Sequence, residues 1–378
     1  MTSRLLNALD ARIRKTRNPV ESACLRAERA ALLARQGQLD AARAQLSALR
    51  TQFDTRPHAI VSAWASLAEG LVAYFENLSS SARDKFMRAL ALSEAVRAPS
   101  IQSVSAAWLA QMEFSCFDFE PMVRHLTEAL EAAPKTQHSA RSRASLVIAE
   151  AYHWCERLDL ALPWYSLARQ HATAEGDEAT LSALMHNMAW LRTAEARRRS
   201  VFGAADADQA RHARLGTESV DSFDHLFGTN SLNALVPLLR SQALMLTEEF
   251  EPALELLVAH TEKGRNEGLD RMACVLLADT AWCRLRTGDV LGARVDASLA
   301  LGSVTRETHV DDLAMTHSRL SQIHGSLGEV DLAGHHDSLA KAAWQLHMDR
   351  QVQLTDLLAR NVGATGWLAY DRTQGSNP

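Results

Sequence analysis

Glu150 and His153 stand three residues apart, a spacing that places a carboxylate and an imidazole on one face of a helix. With His186 they could serve as an acid–base pair in a hydrolase or as ligands in a metalloenzyme. His317 and His324, seven residues apart, also share a helical face, and His335, His336 and Asp337 follow. Neither group has HExxH or paired-cysteine spacing, and neighbouring histidines on a helix point in different directions. An i,i+3 carboxylate–imidazole pair is far more often structural. The phosphate cradles GxxxxGK[ST] and GxGxxG do not occur. Arg197, Arg198 and Arg199 form a basic cluster suited to the end of a helix, where cations complement its dipole. The residues therefore predict no catalytic centre, no metal and no cofactor, and a protein that is not an enzyme.

The elements that would carry these residues follow a ladder. Alanine recurs at Ala42, Ala82, Ala161, Ala253, Ala293 and Ala333, with Met122 in the same register, at intervals of 39–40 residues apart from one of 92. That longer interval equals two periods plus 12 residues. Fixed self-similarity at this spacing marks a stacked helical repeat. Twelve residues before each marker lies a small residue: Ala30, Gly70, Ala110, Ala149, Ser241, Ala281 and Ser321. Ala189 fills the remaining slot, and the row predicts close contacts between paired helices. Five before the marker come Gly37, Asn77, Gly288 and Gly328, residues that tolerate the left-handed conformation ending a helix, with Phe117, Glu156 and Glu248 as exceptions. Apolar residues four and seven after the marker keep one helical face apolar. Strand signals are nearly absent.

This grammar resembles the tetratricopeptide repeat, most closely at Ala149-Glu150-Ala151-Tyr152 followed by Ala161, Tyr165 and Ala168. The likeness covers roughly residues 20–345. The period of about 40 exceeds the usual 34, and longer repeats of this kind look like the regulatory solenoids of bacterial signalling proteins. The resemblance implies an all-α, right-handed superhelical solenoid of about eight antiparallel helix pairs, filling residues 1–362. A helix over 1–18 and a capping helix near 337–361 close its ends, and 363–378 form a loose tail. The fifth period places its first helix over Met185–Arg199 and carries an insertion near 200–228, read as a long connection with a short helix over Ala207–Leu215.

In the resembled family the first helix of each pair lines a concave groove. That implies a binding row comprising Gln111, Phe114, Glu150, His153, Trp154, His186, Trp190, Gln242 and Trp282. Polar groups among aromatic faces suit a ligand that is part apolar and part polar, and glutamine amides can pair with a peptide backbone. In a tightly coiled solenoid the same row would be core, its polar groups satisfied by one another.

Bulk properties narrow the partners. The chain has 378 residues, 22% charged and 47% hydrophobic, as in a folded protein. A net charge of −5 argues against nucleic acid or a membrane surface. Five cysteines without a CxxC pair read as reduced thiols, and neither a secretory signal nor a membrane span is expected, so the expected location is cytoplasmic. The expected function is that of a non-catalytic protein- or peptide-binding scaffold or adaptor. The alternative is a regulatory sensor whose groove binds a small-molecule effector or signal peptide and controls a partner. A third reading is a hydrolase or metalloenzyme using Glu150, His153 and His186.

Overall fold

The computed structural model describes residues 3–201, 206–227, 233–306, 308–363 and 367. Its helices are α1 (Arg4–Lys15), α2 (Pro19–Arg35), α3 (Leu39–Phe53), α4 (Ala59–Asn77), α5 (Ser81–Ala95), α6 (Pro99–Ser115), α7 (Phe119–Ala132), α8 (His138–Trp154) and α9 (Leu158–Glu175). They continue with α10 (Glu178–Val201), α11 (Ala207–Phe227), α12 (Leu235–Leu246), α13 (Phe250–Gly264), α14 (Ala273–Arg286), α15 (Val290–Gly302), α16 (Val310–Ser326) and α17 (Val330–Asn361). No strand occurs among the described residues. The chain divides into two compact units, one of residues 1–185, 223–231 and 353–378, the other of 186–222 and 232–352.

The ladder explains the pairing. Ala42, Ala82, Met122, Ala161, Ala253 and Ala293 are fully buried, as are Ala30, Ala110, Ala149, Ser241 and Ala281 of the small row. A small residue lets two helix axes approach until the partner's side chains fill the space. A Cβ placed on Gly70 would lie 2.5 Å from Cε1 of Phe86, so α4 and α5 meet where only glycine fits. The register also dictates the turns. Phe117, Glu156 and Glu248 take left-handed φ values of 57°, 57° and 60° at the positions where other repeats place glycine. Packing overrides local preference there, at a strain of roughly 1–2 kcal/mol per residue. At Asn77 the helix continues one residue further, and Leu78 takes the left-handed turn at φ 51°.

The fifth period departs from expectation in an instructive way. Its extra residues mostly lengthen helices. Relative to α8 and α9, α10 runs seven residues further past its small residue Ala189, and α11 begins three residues earlier before Ala213. Ala213 is fully buried and lies 40 residues before Ala253, so it restores the ladder. The expected short helix over Ala207–Leu215 is the front of a helix that reaches Phe227. Gly216 sits within it as a packing residue, its Cβ position 3.6 Å from Cβ of Ala189. Residues 202–205 and 228 of the expected insertion lie outside the described residues, as does most of the expected 363–378 tail. The expected cap near 337–361 is the continuation of α17, one unbroken helix from Val330 to Asn361.

Candidate functional site

The first unit closes on itself. Asp177, fully buried in the turn between α9 and α10, accepts from Nη2 of Arg35 at the end of α2 at 2.6 and 2.8 Å. Asp177 also accepts from the Thr180 amide at 3.1 Å, capping α10, and Arg35 donates to Thr180 Oγ1 at 2.6 Å. Burial works against the Asp177 carboxylate, but Arg35 and the Thr180 donors more than offset it and hold its pKa below the ordinary value. The N-terminal helix is tied to the same turn. Ser3 Oγ and the Arg4 amide donate to the Glu178 carboxylate at 2.7 and 3.2 Å, and the Leu5 amide to the Gly176 carbonyl at 3.3 Å. Leu9 then packs with Leu25, Leu32 and Ala179.

Behind this closure lies a chamber of about 50 Å³ lined by α1, α2, α4, α6, α8, the end of α9 and the start of α10. Leu5, Leu9, Leu32, Leu67, Leu71 and Val104 form its apolar wall. Arg35, Arg143, Glu28, Glu175, Trp64 and Trp108 supply its charge and its aromatic faces. Glu28, Trp64, Ser139 and Glu175 are partly exposed and mark the side toward solvent.

Arg143 is the anomaly. It is 5% exposed, on the middle turns of α8, with its guanidinium carbon 4.0 Å from the Trp108 ring centroid. Trp108 is itself held by the rings of Tyr74, Phe75 and Phe86 at centroid distances of 5.5, 5.8 and 6.0 Å. No carboxylate or carbonyl among the described residues accepts a hydrogen bond from Arg143, and its Nε is sealed from solvent without a partner. Burial, reinforced by the positive charge of Arg35, lowers its pKa to about 10. A cation over an indole gains at most a few kcal/mol, while stripping water from a guanidinium costs several. Opposite it, burial and the neighbouring Asp177 raise Glu175 to about 7, and burial raises Glu28.

The second unit buries charge differently. Asp279 on α14 is fully buried, accepts from Nη2 of Arg197 and from Nε2 of Gln242 at 3.4 Å, and forms an ion pair with Arg319, whose Nε lies 3.4 Å away. Arg319 also donates to Gln322 at 2.8 Å. Burial lowers the Arg319 pKa although Asp279 opposes the shift. Nearby, His309, Asp311 and Asp312 bring ligand atoms within 4.8 Å of one another. Arg271 Nη1 lies 2.9 Å from a ring nitrogen of His309, putting a fixed cation where an ion would have to sit. Burial and Asp311 raise Asp312 to about 7, which weakens it as a ligand. Of His317, His324, His335 and His336, the first and last meet through their Nδ1 atoms at 3.0 Å, and burial with the neighbouring imidazoles lowers His336 to about 4.

The residues named from the sequence fall in both units. In the first, Gln111 donates to Glu150 at 3.4 Å and both are buried. His153 is buried with its Nδ1 3.0 Å from the Tyr165 hydroxyl, and Trp154 packs on Phe117 and Phe119. Phe114 is half-buried. In the second, His186 and Gln242 are buried, Trp190 and Trp282 half-buried, with Arg271 5.8 Å from the Trp190 centroid and Arg319 5.4 Å from that of Trp282. Arg35, Trp108, Arg143, Asp177 and Asp279 were not singled out from the sequence. The signal for Arg143 was present. Eighteen residues before the seven markers first read from the sequence stand Cys24, Trp64, Val104, Arg143, Leu235, Val275 and Met315, a row apolar everywhere but once.

No protein-family model matches this sequence, and no curated protein matches it. Among solved structures the chain is similar to a Rap protein crystallised in complex with competence and sporulation factor, at 13% identity and a TM-score of 0.50, over 90% of this chain and 100% of that one. The class defined by this likeness, the helix pairs and the ladder is a tetratricopeptide-like helical-repeat protein. At that identity the likeness speaks for the fold alone. Among the described residues, no helix is long and apolar enough to cross a membrane.

Proposed function

We propose that the protein is a non-catalytic recognition module that binds a peptide or protein segment on the interior face of its first unit. The observation that carries this reading is the composition of that face. Core packing asks only for apolar side chains, yet α2, α4, α6 and α8 present Trp64, Trp108, Arg35, Arg143 and Glu28 around one chamber. Aromatic and arginine side chains grouped in a recess are the usual anchors of recognition. Gln111, Glu150 and His153 serve as the buried layer behind this face, because their side chains already bond within the unit. The complex in which the similar Rap chain was crystallised agrees with recognition as the use of such a fold.

The test is retention of peptides from a random-sequence pool on the full-length protein, read by mass spectrometry after gel filtration. Trp64→Ala should weaken retention by about tenfold or more, as expected for an anchor, while leaving the helical circular dichroism unchanged. Equal retention by the variant would move the site elsewhere. A small-molecule effector is the second reading, and the chamber's size favours it. About 50 Å³ holds a few waters or one small functional group, not a side chain with its backbone.

A further inference from the structure

The position of Arg143 specifies the chemistry of the ligand more narrowly than the shape of the recess does. A guanidinium carries five N–H donors in a planar fork and has no acceptor. Here the guanidinium carbon lies over the Trp108 ring, 4.0 Å from its centroid, and Nε is buried without a partner. Arg35, the other guanidinium of the chamber, is neutralised by Asp177 at 2.6 Å and is spoken for. Arg143 is therefore the guanidinium of the recess that no carboxylate contacts directly, although the charges of Glu150 and Asp177 act on it from farther off. The acceptor that matches a guanidinium fork is itself planar and meets two of its N–H groups edge-on.

We propose that the chamber of the first unit is a receptor for one carboxylate group, held edge-on by Arg143 against the Trp108 ring. This rests on the recognition reading above and deepens it. A monoanion is favoured over phosphate because Glu28 and Glu175 stand in the same wall and would repel a dianion. Glu175, raised to about 7, keeps a share of its protons at neutral pH and can donate one to the incoming oxygen. The small volume agrees with a terminal functional group, and the apolar wall of Leu5, Leu9 and Leu71 suits the carbon chain behind it.

The carboxylate could be the C-terminus of a peptide or belong to a free organic acid, and two probe pairs separate these sources. The first is a pool of random nonapeptides made as free acids and again as C-terminal amides, assayed by retention on full-length protein. The second is propionate and butyrate against propionamide and butyramide, assayed at millimolar concentration by thermal shift. Each is run on wild type and on Arg143→Gln, whose fold is checked by circular dichroism.

Free-acid peptides retained about tenfold better than amides, with the difference lost in R143Q, is the expected result and identifies a peptide terminus. Stabilisation by the small acids but not their amides, also lost in R143Q, with no peptide retained, upholds the carboxylate receptor and overturns the peptide reading. Retention of acids and amides alike by both proteins overturns the carboxylate receptor and leaves the peptide reading standing. No response to any probe overturns both.

Discussion

Arg143 in the first unit and Asp279 in the second are charges buried to the same degree in helices of the same repeat, and they are treated in opposite ways. Asp279 is surrounded: Arg197 and Gln242 donate to it, Arg319 pairs with it at 3.4 Å, and Arg319 has Gln322 besides. Arg143 faces an indole, an apolar wall and another arginine that already has its counter-ion, and the carboxylates around it, Glu28, Glu175 and Glu150, make no direct contact with it. A charge that has been compensated contributes to the fold, and one that has not is a standing cost the fold tolerates. The difference separates a structural knot from a receptor, although burial alone makes them look alike.

The largest effect expected from this comparison is at Asp279. Asp279→Ala leaves Arg197 and Arg319 buried beside each other without an anion and should cost about 3–5 kcal/mol, as breaking one side of a buried ion pair does. Arg143→Met, of similar length and apolar, should have the opposite sign, stabilising by about 1–3 kcal/mol because it removes an uncompensated charge. Urea unfolding of the two variants reads both numbers. A destabilised Arg143→Met would show that Arg143 has a structural role, and the distinction between knot and receptor would collapse.

The next effect is in the pH dependence of the first unit. Glu175 has a folded pKa of about 7, raised by burial and by Asp177, and it faces Glu28, Arg35 and Arg12 as well. A raised carboxyl binds its proton more tightly in the folded state. Its contribution to stability is whole below the ordinary carboxyl pKa of about 4.5 and is lost as pH rises through 7. Glu28 is shifted the same way by burial. Wild type should lose stability between pH 5 and pH 8, and Glu175→Gln should recover roughly 2 kcal/mol of it at pH 8, from the size of the shift discounted for partial exposure. Equal pH slopes for the two proteins would mean that Glu175 is solvated and that the chamber is wetter than its lining suggests.

How much of this was legible in the sequence depended on whether a feature repeats. The ladder made helix pairs, turns and small-residue contacts legible because each signal recurs, the small row eight times, the markers seven and the turn residues four. The polar pair Gln111 and Glu150 was visible as a row, but a row shows which residues share a face and not whether that face is open. Only the coordinates show that the two side chains bond each other out of solvent. Arg143 was hidden for the opposite reason: it occurs once, and searching for shared positions passes over the one that differs. Asp177 and Arg35 were beyond reach, because their meeting depends on how far four repeats curl, a sum of small rotations that no local pattern encodes. The fifth period reads from the sequence as a long connection with a short helix because a glycine such as Gly216 looks like a breaker, whereas Gly216 serves a close contact with Ala189 inside a helix.

The smallest effect concerns strain, where the two units differ again. The first takes left-handed turns on Leu78, Arg97, Phe117 and Glu156, the second on Glu248, with glycine at 268, 288 and 328. Arg97→Gly and Glu248→Gly should each stabilise by about 0.5–1 kcal/mol, the relieved left-handed strain less the added freedom of the unfolded chain. If backbone strain and the buried charge of Arg143 are separate costs, Arg97→Gly and Arg143→Met should add within about 0.5 kcal/mol in a double-variant cycle. A larger coupling would mean that the turn at Arg97 and the helix bearing Arg143 relax together. The first unit would then be held under tension as a whole, and its unpaired charge would be one symptom of that tension instead of an independent site.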